Sequence, residues 1–385
     1  MLTTLKNNRS LTFYQQTAVA HQSKISTSYS GGVGATAIAG TSFQTAVTTT
    51  GYNTQLQRFL TDLNQKRISD ASSLDLSKPN SNARNRGVQR AWEYERADVE
   101  MGGKGSADWT EEQQAEIRET GKVRGAEGHH QKNVADHPDQ QADPDNIKFY
   151  KDRQTHLDEG HGGDWHNESD ADTIDKNEML KKTNSKRVWK NEIRGLGIAV
   201  AIGAGLGITI GFMTTLAQSG VTPDSLKLAL AEGAKGGLES GLLAGVGYGI
   251  GRTIGEVASK AFAGVLENLG ITITDNISKM INMGVVGALT VVVFSAYQFI
   301  KLKRNNVATK DAVIQVGKQA LFSLSLLAVS IAAQGIWGGA AGIIVSVSVG
   351  IIMITYSVAD SIHQRHFAEE IRVYTIEKCY PSFIV

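Results

Sequence analysis

The feature that most limits what this chain can fold into is the absence of charge over long stretches. Residues 319–359 are 41 consecutive positions without Asp, Glu, Lys or Arg, 195–223 are another 29, and 280–300 another 21. A helix needs roughly 20 apolar residues to cross the hydrocarbon core of a bilayer. The longest run has room for two crossings, with Gln334-Gly-Ile-Trp-Gly-Gly as a turn at its centre. The sequence predicts four spans, at about 196–216, 280–300, 319–335 and 341–358. Ala, Gly and Ser dilute these runs, so a buried helical bundle is the competing reading; an uncharged run of 41 residues favours the bilayer.

Charge is distributed to match. Up to Arg194 there are 26 Lys+Arg and 27 Asp+Glu, against 13 and 11 in the remaining 191 residues. The stretch 179–194 reads as a basic juxtamembrane helix, with Lys181, Lys182, Lys186, Arg187, Lys190 and Arg194. Lys and Arg concentrate on the cytoplasmic side of membrane spans, so the N-terminal half is expected in the cytoplasm. The next basic segment, Lys301 to Lys318, is cytoplasmic too if 219–279 lies outside. A fifth span at 240–256 would break that rule, so 221–279 reads as amphipathic or extracytoplasmic helices. The expected location is a membrane, with the lipid bilayer as one partner. No basic-then-apolar stretch opens the sequence, which argues against Sec export.

Composition excludes several classes. The single Cys379 rules out a disulfide scaffold and Cys-rich zinc or iron–sulfur sites. A formal net charge of +1 does not announce a nucleic-acid binder. Gly195, Gly197, Gly203, Gly205, Gly207 and Gly211 are not followed by Gly-Lys-Ser/Thr, so they are no phosphate loop. They suit close helix–helix packing, including association into a homo-oligomer.

The N-terminal part divides into a polar, mostly flexible leader (1–87), with one short amphipathic helix over 55–69, and a small folded domain (88–178). Residues 77–87 read as a polar linker. A helix is expected over 88–99 with Trp92 as its anchor, and another from Asp108, whose acidic first turn suits the helix dipole and which Gly121 ends. The rest, 195–385, is the hydrophobic helical region.

Six of the nine histidines fall between His129 and His166. His129 and His130 are adjacent, and in an extended segment they point to opposite faces. His156 and His161 return after a length suited to a hairpin and a helix. Such spacing can close a small metal site with open positions, which catalysis requires. His137, beside Pro138, reads as a loop residue.

Glu127-x-His129-His130, then Asp145-Asn146-Ile147, then His156 and His161 resemble the HNH (ββα-metal) nuclease motif. The likeness is to colicin-type DNases and the His-His nucleases of bacterial polymorphic toxins, and Thr120-Gly-Lys-Val-Arg-Gly-x-Glu-Gly-His-His is similar to the latter in detail. It covers roughly residues 105–170. It implies a small α+β ββα-metal domain preceding an all-α, Gly-rich transmembrane region. It also implies a divalent metal ion (Zn, Mg, Mn or Ni) held by His129, His156 and His161. His130 would be the general base, Asn146 would hold its imidazole, and Glu127 would support the site, paired with Arg124. One departure stands out: colicin-type members place their last two histidines four residues apart, whereas His156 and His161 are five apart. On an α-helix that offset turns the second ring about 140° away, so His161 requires the helix to end, with Asp164 or His166 as substitutes.

The resemblance implies a metal-dependent endonuclease acting on DNA or, alternatively, RNA, tethered to a bacterial inner membrane with the nuclease domain facing the cytoplasm. It would serve in defence against phage and mobile elements, or as a toxin effector with a cognate immunity protein. The nuclease precedes the hydrophobic region, an order that favours the resident enzyme. Lys122, Arg124, Lys132, Lys148, Lys151 and Arg153 could contact phosphates, though Asp136, Asp139 and Asp143 interrupt any basic patch. The alternative reading is a membrane channel or pore-like protein whose His-rich domain senses metal.

Overall fold

The computed structural model describes residues 2–164 and 172–337, isolated helical positions beyond them, and side chains from residue 34 onward. His166 and most of the span expected at 341–358 lie outside the described residues. In chain order the elements are α1 (Leu2–Ser73), α2 (Ser81–Glu100), α3 (Glu111–Thr120), β1 (Glu127–His130), β2 (Ile147–Tyr150), α4 (Arg153–Thr155), a π-helix (His156–His161), α5 (Lys176–Ser219), α6 (Pro223–Ile250), a second π-helical turn (Gly251–Gly255), α7 (Glu256–Asn268), α8 (Asp275–Arg304) and α9 (Thr309–Trp337). Two compact units result: Val47–Glu192, and Met1–Ala46 with Ile193–Val385.

In the first unit α2 is the central beam. Asn80 caps it, its side chain accepting from the Asn82 amide. One face of α2 carries Ala91, Trp92 and Val99 into a core with Trp109, Ile117, Val123, Ile147 and Phe149. Trp92 lies 4.0 Å from Phe149 and 5.6 Å from Trp109, centroid to centroid. The other face carries Tyr94, Ala97 and Met101 onto Leu56, Leu63 and Leu180, so the last turns of α1 and the first of α5 belong to this unit. Buried Glu95 accepts from Trp109 Nε1 (2.8 Å), the Ser106 amide (2.8 Å) and Lys176 Nζ (3.1 Å). The carboxylate is thereby satisfied, as a buried charge must be. α3 begins on a Thr110/Gln113 capping box and ends at Gly121 in the left-handed region, close to the boundaries its sequence signals.

One expectation changes here: residues 81–87 of the supposed linker 77–87 form the first turns of α2, and Gly87 is needed for close approach, since a Cβ there would lie 2.5 Å from the Gln141 carbonyl oxygen. In the leader, residues 2–73 form the helix α1. No proline precedes Pro79, so nothing covalent interrupts α1, and residues 25–57 carry no charge. Its small residues are used for packing, with Ala35, Ile38, Ala39, Ser42 and Thr45 all buried.

The second unit is helical. Three of its described helices, within 176–213, 276–304 and 309–333, are long and apolar enough to cross a membrane. α5 and α6 pack antiparallel on small residues in steps of four. Cβ atoms added at Gly203, Gly207 and Gly211 would run into the backbone of Ser240, Gly236 and Glu232 respectively. That is the close approach small residues permit between helices. α6 lies within 221–279, the stretch read as amphipathic or extracytoplasmic, and it is not among the three described helices long and apolar enough to cross a membrane. α8 lies along α6, with Val286 against Gly251, Thr290 against Gly247, and Lys301 bonded to Glu239 at 2.7 Å.

Candidate metal centre

The site is built from a two-stranded antiparallel sheet and the short helical turn that follows it. β1 pairs with β2 so that His129 lies opposite Lys148 and His130 opposite Ile147. Ile147 and Phe149 enter the core, which fixes the register, because a slip of one residue would exchange the two faces. Asp152 caps the turn after β2, accepting from the Thr155 amide at 2.7 Å.

His156 and His161 lie on one π-helical turn. In an α-helix a five-residue offset would separate them; the wider π turn, with its i→i+5 bonding, brings them back to one side. Their ring centroids are 4.8 Å apart, and each is within 5.2 Å of the His129 ring. One ligand atom from each of the three histidines lies within 4.8 Å of the others. The helix does not need to end before His161: it changes type. Gly160 allows this, because a Cβ there would come to 3.0 Å from His156 Cδ2 and Tyr150 Cε2, and to 3.3 Å from His129 Nδ1.

Glu127 orients the group. Its Oε2 lies 2.6 Å from His156 Nδ1, and a carboxylate only accepts, so Nδ1 carries the proton and Nε2 is the atom turned toward the other rings. That Nε2 sits 3.2 Å from His129 Nδ1. The bond to His156 holds the Glu127 carboxyl below the usual carboxylate range, with Arg153 adding to it. The partner of Glu127 is Arg153, at 3.2 Å; Arg124 instead gives its amide to Glu116.

His129 is 3% exposed, and its Nε2 is buried with no hydrogen-bond partner. Burial, reinforced by His161 and His156, pushes its pKa down to about 3. Three converging imidazoles and an orphaned buried nitrogen are a donor set that fits a divalent transition ion.

His130 is 8% exposed, and burial pushes it down to about 4. It is held by Gln141, not by Asn146: Nε2 lies 3.0 Å from the Gln141 carbonyl oxygen. Gln141 is itself pinned, its Oε1 accepting from the Asn80 amide (2.8 Å) and its Nε2 donating to the Lys78 carbonyl (3.0 Å). Asn146 braces the β1–β2 connection. Its Oδ1 accepts from the Lys132 amide at 2.7 Å, and its Nδ2 donates to the Lys132 and Gln140 carbonyls. Nothing in the residue types pointed to Gln141, since a main-chain carbonyl leaves no trace in them.

All four histidines line one open cleft of about 380 Å³, which Arg84 and Arg153 also border. Arg84 comes from α2, 45 residues before His129, so only the tertiary structure brings it here. Arg67 neutralises Asp143 (2.8 Å) and Asp145 (3.1 Å), which removes part of the acidic interruption. Asp164 is outside the converging group.

Residues 78–151 match a family described as a GHH signature containing HNH/Endo VII superfamily nuclease toxin. The GHH signature corresponds to Gly128-His129-His130, while His156 and His161 lie beyond the matched segment. Teneurin-m of Drosophila melanogaster is 39% identical over 70 residues, 18% of this chain and 3% of that protein. The chain thus spans a very small part of the curated relative it matches. No solved structure matches.

Proposed function

We propose that the histidine-bearing unit is a metal-dependent HNH-type endonuclease that hydrolyses phosphodiester bonds of DNA, held at the cytoplasmic face of a bacterial inner membrane by the apolar helices. The observation that carries this is the convergence of His129, His156 and His161 in the cleft that His130 also lines. The GHH nuclease toxin family at 78–151 supports the same chemistry.

His129, His156 and His161 would hold the ion. Imidazole donors suit zinc or nickel better than magnesium, which prefers oxygen. When bound, the ion supplies stabilisation of charge on the phosphate and the leaving 3′ oxygen. His130 performs the proton transfer. Its Nε2–H donates to the Gln141 carbonyl, which leaves Nδ1 as the basic atom to take a proton from water. The same carbonyl stabilises the imidazolium so formed, as an orienting acceptor does in other histidine bases. Arg84, with no ion-pair partner among the described residues, is placed to meet a phosphate oxygen. Contacts of this kind read phosphate geometry, not base identity, so sequence specificity is low.

The family description favours the toxin setting, with a cognate immunity protein as partner. Gly197 and Gly205 of α5 are exposed, with nothing within 4 Å of a Cβ added at either, and offer a small-residue surface for association into a homo-oligomer.

Plasmid nicking by the full chain with added Zn²⁺, Ni²⁺, Mn²⁺ or Mg²⁺ tests the proposal. His130→Ala should lower turnover by roughly 10²–10⁴-fold, the range for a general base, and leave metal affinity unchanged. Retention of metal by the wild-type chain without cleavage of DNA or RNA would instead favour the metal-sensing channel.

A further inference from the structure

The first turns of α5 have two faces. Leu180, Asn184, Arg187 and Asn191 face inward. Leu180 is fully buried, Asn184 bonds Asn53, Arg187 bonds Gln55 and the Tyr52 carbonyl, and Asn191 bonds Thr49. At 100° per residue, Lys182, Lys186, Trp189 and Lys190 form a stripe on the other side, roughly 150° away. All four are exposed, Trp189 by 68%. None of the three lysines forms an ion pair among the described residues. A large indole left facing outward among lysines is not accounted for by packing within the unit.

We infer that this stripe is a docking surface for the anionic headgroups of a bilayer, with Trp189 seated at the interface. Two observations select that occupant. The charge is complementary: 179–194 holds six basic residues against Glu192 alone. The same helix runs on covalently into an apolar stretch long enough to cross a membrane. Tryptophan prefers the headgroup level, where its ring is half apolar and its N–H is wetted. Lysines beside it are drawn to acidic lipid. A phosphate-rich nucleic acid would satisfy the lysines and leave the indole without a matching layer. The inference rests on the membrane attachment proposed above and adds a lipid class to it.

The test uses the full chain reconstituted into mixed vesicles of phosphatidylglycerol and phosphatidylcholine in which only one lipid carries brominated acyl chains. Trp189 is isolated as the fluorescence difference between wild type and Trp189→Phe. Brominated phosphatidylglycerol should quench Trp189 several-fold more than its mole fraction predicts, given roughly fivefold enrichment per nearby lysine. In Lys182→Gln/Lys186→Gln/Lys190→Gln that excess should vanish while nuclease activity on a soluble plasmid is kept. Equal quenching by the two lipids in wild type, or none by either, overturns the inference. So does protection of Trp189 by duplex DNA in place of lipid, which would make the stripe a nucleic-acid surface. A chain that co-floats with neither vesicle type defeats the membrane attachment itself, and is distinguishable from these outcomes.

Discussion

The main-chain carbonyl of Gln141 lies 3.0 Å from Nε2 of His130, so the orientation of the proposed base is set by a backbone atom. That atom is in turn fixed from two sides. The Gln141 side chain grips residues 78 and 80, and Gly87 of α2 touches its carbonyl oxygen.

Gly87→Ala follows from this contact. The added methyl meets backbone, which yields only by moving. Overpacking of this kind costs about 1–3 kcal/mol. Displacement of the carbonyl should lower kcat about 10–100-fold, because small misplacements of catalytic groups are costly. Metal affinity, measured by calorimetry, should stay within about twofold. Unchanged kcat would mean that Gln141 does not position His130.

Glu127→Gln removes the charge that fixes the His156 tautomer. Loss of such an outer partner typically weakens metal binding about 10–100-fold, and competition with a chelator would measure it. Arg153→Gln is the comparison, since that side chain is 75% exposed; it should change affinity far less. Equal effects from the two would place the role of Glu127 in surface charge and not in ligand orientation.

Gly160→Val tests the π-helical turn. A branched side chain cannot fit between His156, Tyr150 and His129, so the three rings should separate and metal affinity fall at least about tenfold. Circular dichroism should show the rest of the fold retained. Wild-type affinity in this variant would mean that the rings reach an ion without the tight turn.

Acid should destabilise the metal-free protein as the pH falls below the ordinary histidine value. His129 and His130 have folded pKa values of about 3 and about 4, below the 6.5 of an unfolded histidine. Between those limits the unfolded chain binds protons that the folded one refuses, so stability falls as pH falls. Each histidine contributes a slope approaching about 1.4 kcal/mol per pH unit within its window. Urea unfolding followed by tryptophan fluorescence from pH 7 to pH 5 measures it. A flat profile would contradict the burial of the two rings.

Lys176→Met breaks the ion pair with Glu95 in which both side chains are fully buried. Removing one partner of such a pair typically costs about 3–5 kcal/mol, because the other charge is left uncompensated. Thermal unfolding in detergent should show a large fall in Tm. The double variant Lys176→Met/Glu95→Gln should recover part of it.

Much of the site was legible in the chain. His129, His130, His156 and His161 stand out by clustering and by the motif they resemble, and the acidic first turn after Asp108, the Gly121 stop and three of the apolar runs locate their helices, because these signals are local. The sequence determined residue types, periodicity and the order of the motif. Tertiary structure decided what depends on contacts distant in sequence or on atoms common to every residue. It placed Gln141, not Asn146, behind His130, since any residue type can offer a carbonyl. It brought Arg84 to the cleft from α2, and turned the five-residue spacing of His156 and His161 into a match through a π-helix. It also gave the small uncharged residues Ala35, Ala39, Ser42 and Thr45 of α1 a packing role. Small residues show their use only when a neighbouring helix comes close enough to require them.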